Sequence, residues 1–115
     1  METPGSPFFD SDGDNSAQAM KTRRGVIYNL EVSNPNTVDC YLQLFDFATG
    51  DVTVGTTTPA MSLFVPAGDG TLNGAMDKEY SGGLTFETAI TYACTTTATG
   101  SGDPTTGLVV NARTG

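Results

Sequence analysis

From Gly25 onward, apolar side chains recur at every second position, in short runs closed off by Pro, Gly, Asn and Asp. That alternation is the period of a half-buried strand, and no stretch carries a convincing helical period, so the chain is constrained to fold as stacked β-sheets. In Val26–Ser33, the residues Val26, Tyr28, Leu30 and Val32 share one face while Asn29, Glu31 and Ser33 share the other. Asn34-Pro35-Asn36 then supplies turn residues, because Pro fixes φ and Asn tolerates left-handed geometry. The next strand, Val38 to Phe47, places Cys40, Leu42 and Leu44 on one side and Tyr41, Gln43 and Phe45 on the other. Both faces carry apolar bulk. Either the strand is central and covered on both sides, or its second face meets a neighbouring subunit; the neighbour is the preferred reading.

Further short strands follow at Val52–Val54, Met61–Val65 and Thr71–Ala75, with a polar, Gly-ended loop at 77–83. Pro59 bars the 55–59 connector from a central ladder position. Leu84 to Thr97 is the longest β segment, with Leu84, Phe86, Ile90, Tyr92 and Cys94 inward and Thr88 at a bulge or crossing point. A Gly-rich surface loop at 98–106 leads to a last strand through Leu108, Val110 and Ala112. The expected fold is all-β: a single β-sandwich or jelly-roll-like domain of about seven to eight short strands, since two sheets face to face bury what one would leave wet.

Residues 1–24 read differently. They hold Pro4, Pro7, the acidic stretch Asp10 to Asp14 and a basic cluster of Lys21, Arg23 and Arg24, and only Phe8, Phe9 and Met20 are bulky and apolar. So polar a segment buries too little surface to offset its ordering entropy by itself. The expected organisation is therefore an extended acidic arm at 1–24 and a β-sandwich domain at 25–115. Phe8, Phe9, Lys21, Arg23 and Arg24 are the candidate partner-binding residues of the arm. Tyr41, Gln43 and Phe45 form the candidate self-association face of a homo-oligomer, for which a trimer around a symmetry axis is one arrangement.

The net charge of −8 works against a phosphate backbone, because nucleic-acid binders rely on Lys and Arg contacts. It suits a soluble surface that repels its own kind. No apolar run is long enough for a membrane span, and the acidic, Pro-rich start shows no signal peptide. Neither nucleic acid nor membrane is an expected partner.

Without a single His, neither a Ser-His-Asp nor a Cys-His arrangement can be assembled. Asp39, Asp46, Glu31 and Glu87 fall on strands, and nothing marks any two as a catalytic pair across a cleft. Asp10, Asp12 and Asp14 match the first ligand positions of an EF-hand loop, but Asn15 stands where Gly is needed and Lys21 where the bidentate Glu belongs. Cys40 and Cys94 read as two small buried hydrophobes. A bridge between them would be worth ~4 kcal/mol on chain entropy, but a cytoplasmic origin argues against it. No enzyme, metal or cofactor is expected. The Thr triplets at 56–58 and 95–97 offer hydroxyls for carbohydrate, without a Trp platform.

Several stretches carry a resemblance. Val32-Ser33-Asn34-Pro35-Asn36 followed by Tyr41-Leu42-Gln43-Leu44-Phe45-Asp46 resembles a group of small β-rich virion structural proteins of tailed bacteriophages. Val52 to Pro59, Phe64-Val65-Pro66-Ala67, Phe86, Thr95 to Gly100 and Leu108-Val109-Val110-Asn111 fit the same pattern, so the resemblance spans about residues 25–112. It implies a place in the phage particle. The function it implies is a capsid decoration (cement) protein, made in the host cytoplasm, that binds the major capsid protein on the outside of the head. The alternatives are a head-fibre, neck or tail component contacting the host surface, and a carbohydrate-binding module.

Overall fold

The computed structural model describes residues 5–115. Eight strands follow one another: β1 (Ser6–Gly13), β2 (Gln18–Lys21), β3 (Gly25–Asn34), β4 (Cys40–Phe45), β5 (Met61–Val65), β6 (Gly74–Phe86), β7 (Ile90–Thr95) and β8 (Leu108–Thr114). A single 3-10 turn, Thr49–Asp51, lies between β4 and β5. Two four-stranded antiparallel sheets result, in the orders β1-β8-β3-β6 and β2-β7-β4-β5. Strand one pairs with eight, two with seven, three with six and four with five. That is a long antiparallel hairpin rolled up on itself, so the sandwich has jelly-roll topology.

The core lies between the sheets. Ile27, Leu30, Val32, Leu108 and Val110 of one sheet meet Leu42, Leu44, Val65, Ile90, Tyr92 and Cys94 of the other. The expected inward set of 84–97 is the observed one: Phe86, Ile90, Tyr92 and Cys94 are buried and Leu84 packs against them. Thr88 lies in the 87–89 link where the chain crosses from the first sheet to the second.

Four expectations need correction. Residues 5–24 are not an arm: Ser6 to Gly13 pairs with β8, and Gln18 to Lys21 with β7, so this segment is two strands of the sandwich. It escapes the entropy argument because it borrows a core. Phe8 packs on the core, Met20 is buried within it, and the ladders satisfy its backbone. The remainder of the expected arm, residues 1–4, lies outside the described residues. In β3, the register slips between Ile27 and Asn29, so Ile27 and Leu30 point inward and the strict Val26/Tyr28 alternation fails. Residues 77–83 are not a loop but part of β6, where Tyr80 to Gly83 form a bulge opposite Tyr28 and the strand resumes at Leu84. Gly82 and Gly83 make that bulge feasible, at φ of +83° and +90°. Finally, the short strands expected at Val52–Val54 and Thr71–Ala75 are not formed as such: Thr53 O accepts hydrogen bonds from the amides of Thr56 and Thr57 in a turn, and only Gly74 and Ala75 of the second belong to a strand, β6.

Candidate binding surfaces

The two sheets present different outer faces. On the second sheet, Tyr41, Gln43 and Phe45 point away from the core as expected, but they do not form a free face. Gln43 and Phe45 are fully buried. The 96–102 loop folds back over them, and Gln43 Nε2 donates to Thr95 Oγ1 at 2.8 Å, to Gly100 O at 3.0 Å and to Thr97 O at 3.4 Å. Ser62 Oγ fastens the same loop through Ala98 O at 2.6 Å. The 46–60 segment completes the cover, with Thr91 Oγ1 donating to Phe47 O and the Ala60 amide to Leu44 O. The apolar second face of β4 is thus explained within one chain. Only Tyr41 stays half-exposed, edge-on to Phe64 at 5.6 Å.

The first sheet is bare. Its outward residues run in rows across the strands: Pro7, Arg113, Asn29 and Glu79; then Phe9, Asn111, Glu31 and Asp77; then Val109, Ser33 and Ala75. Phe9 is 64% exposed and stands at one end of the middle row, with Glu31 directly opposite Asp77 at the other. Like charges facing each other across a ladder cost stability.

The five residues assigned to a partner-binding arm are dispersed. Phe8 turns inward, ring to ring with Tyr92 at 5.6 Å and 76°. Phe9 lies on the bare face. Lys21 ends β2, and Arg23 and Arg24 sit in the exposed β2–β3 turn. Arg24 reaches Glu87 at 3.9 Å, both side chains 72% exposed, an ion pair worth little in water.

The β1–β2, β3–β4, β5–β6 and β7–β8 connections meet at one end of the sandwich. Two buried asparagines tie the last three of these together, a role that their turn-forming character alone does not reveal. Asn34 Nδ2 donates to the carbonyls of Val38, Pro66 and Val65, while its Oδ1 accepts from the Asn36 amide and side chain. Asn36 in turn donates from Nδ2 to Thr106 O and accepts the Thr106 amide, both at 2.8 Å. Between these loops lies a cleft of about 240 Å³ lined by Pro35, Asn36, Thr37, Val38, Thr105 and Thr106.

The carboxylates around this end staple turns. Asp14 accepts the Ser16 amide, Asp39 the Ala67 amide, and Asp69 the amides of Thr71 and Leu72. Those two amides hold the Asp69 carboxyl below its ordinary value. At the opposite end Asp46 accepts the amides of Glu87, Thr88 and Ala89. Slight burial works against its charge, and the three amides outweigh it and lower its pKa. Asp10 is used inside the fold, taking the Tyr92 hydroxyl on one oxygen and the Asp12 amide on the other. The EF-hand-like spacing of Asp10, Asp12 and Asp14 therefore runs along β1 and one residue past its end. Among the described residues no group of three His, Cys, Asp or Glu side chains could hold a metal ion. Cys40 and Cys94 are free and buried, and burial raises both thiols.

Comparison with protein-family models, with curated proteins and with solved structures yields no match.

Proposed function

We propose that this chain is a structural virion protein, a capsid decoration protein that binds the outer surface of a phage head and stabilises it. The observation that carries the reading is the contrast between the faces. One sheet is roofed by the chain's own loops, while the other offers flat rows of exposed side chains with Phe9 among them. A flat face suits a broad partner. The cleft at the loop end, about 240 Å³, falls below the roughly 300–1,000 Å³ that enclose a small ligand. A protein that binds only the assembled shell stabilises it by linkage, ~2.7 kcal/mol per site at a concentration 100-fold above the dissociation constant. The major capsid protein is the partner in this reading, and the sequence resemblance to phage virion proteins supports it alongside the geometry.

Quantitative mass spectrometry of purified particles tests it. A copy number comparable to that of the major capsid protein supports decoration, and absence from clean particles overturns it. A second reading rests on the cleft, whose Thr37, Thr105 and Thr106 side chains bring hydroxyls beside Val38. It makes the protein a head-fibre, neck or tail component, or a carbohydrate-binding module, with a glycan at the loop end. Few copies per particle together with glycan binding by the isolated protein would select it.

A further inference from the structure

Each sheet ends in two edge strands, and an unpaired edge is a template for another chain unless something blunts it. Three of the four edges are blunted. β1 carries Pro7, Asp10, Asp12 and a register shift. β2 is four residues long, with a register shift and Lys21. β6 carries Asp77, Lys78 and Glu79 and then the Tyr80–Gly83 bulge. β5 has none of these devices. Met61-Ser62-Leu63-Phe64-Val65 pairs with β4 in unbroken register and holds no charge, Pro or Gly. Met61 and Leu63 are only half-buried at the open side of the sandwich, and Phe64 is 50% exposed.

Charge says which partner can reach this edge. Residues 40–45, 52–68 and 88–102 contain no Asp, Glu, Lys or Arg. They make up β4, β5, β7 and most of the cover over them, so the neutral part of the molecule surrounds the one unblunted edge. A second copy of a chain with net charge −8 meets like charge almost everywhere else.

We propose that two copies pair through β5, antiparallel across a two-fold axis, with Leu63 opposite Leu63, Ser62 opposite Phe64 and Met61 opposite Val65. Two four-stranded sheets become one continuous sheet of eight, and Phe64 and Leu63 lose their exposure. This two-fold replaces the self-association expected through Tyr41, Gln43 and Phe45, which are covered within the chain. It does not rest on the virion reading.

Sedimentation of the full chain over a range of concentrations and salt is the test. The expected result is a dimer of the 11.9 kDa chain whose affinity holds or rises with ionic strength, because added salt screens the repulsion between acidic copies. Phe64→Lys is expected to weaken it by at least about tenfold, while Phe9→Lys on the bare face leaves it unchanged. Hydrogen exchange at residues 61–65 is expected to slow as concentration rises, a readout independent of any variant's folding. A monomer at every concentration would overturn the proposal, as would a trimer, which a two-fold pairing cannot build. So would loss of the dimer on Phe9→Lys but not Phe64→Lys, or β5 amides indifferent to concentration.

Discussion

Asn34 has no solvent exposure, yet its side chain ties three carbonyls and one neighbouring asparagine into a network joining three loops. Removing it orphans the groups it bonds, and such orphaning is costlier than the bonds are worth when made. Asn34→Ala is expected to cost about 3 kcal/mol in urea unfolding, a large share of the roughly 5–15 kcal/mol of a small domain. The buried thiols and phenol set a pH limit. Burial raises Cys94 above the ordinary 9.0, and burial together with the Asp10 carboxylate raises Tyr92 above 10.0. The folded state therefore keeps these protons after the unfolded chain has lost them. Stability is whole below the ordinary values and declines as pH climbs beyond about 9. Urea midpoints taken from neutral to strongly alkaline pH should fall, and Cys94→Ala should flatten the decline. At this scale the sequence was partly legible. Cys40 and Cys94 read correctly as buried hydrophobes, whereas Asn34 looked like any turn residue because two of its three carbonyl partners, Val65 and Pro66, lie far along the chain.

Among the elements, β6 shows what pattern reading misses. Asp77 to Gly83 is polar because it is an exposed edge, and the Gly pair serves a bulge rather than a loop. A Cβ on Gly83 would lie 2.2 Å from Val26 Cγ1, whereas Gly82 has open space around it at a similar φ. Gly82→Ala should thus cost only the left-handed strain, ~1–2 kcal/mol, and Gly83→Ala clearly more, as thermal melts of the two would show. The N-terminal strands teach the same lesson in reverse. β1 and β2 contain few apolar residues and were read as an arm, because the core they lean on is contributed by β7 and β8. Deleting residues 1–24 is expected to remove one edge from each sheet and unfold the domain. A truncated chain that retained a native circular dichroism spectrum and a cooperative melt would contradict this. The strands from Met61 to Val65 and from Leu108 onward were legible because their apolar residues alternate cleanly; β1, β2 and β6, which slip register or bulge, were not.

Over the whole molecule, the division of labour between the sheets is the organising fact: one is roofed and neutral, the other bare and acidic. A two-fold through β5 would run perpendicular to the joined sheet, so the bare faces of both copies would look the same way. Two weak contacts made together by such a pair exceed either one alone. On the decoration reading proposed above, Phe9→Ala is expected to reduce binding to particles by about tenfold or more while leaving the melting temperature nearly unchanged, since Phe9 packs little of the core. Titration of labelled protein onto particles lacking it would measure both affinity and occupancy. The pairing of the first strand with the last has a mechanical consequence. Ser6 stands opposite Thr114, so a load applied between these points pulls along the cross-strand hydrogen bonds and parts them rung by rung. Moving one anchor from Thr114 to Gly107 would load every rung of that ladder together. The molecule should therefore peel open softly when drawn from its two ends and resist strongly when sheared.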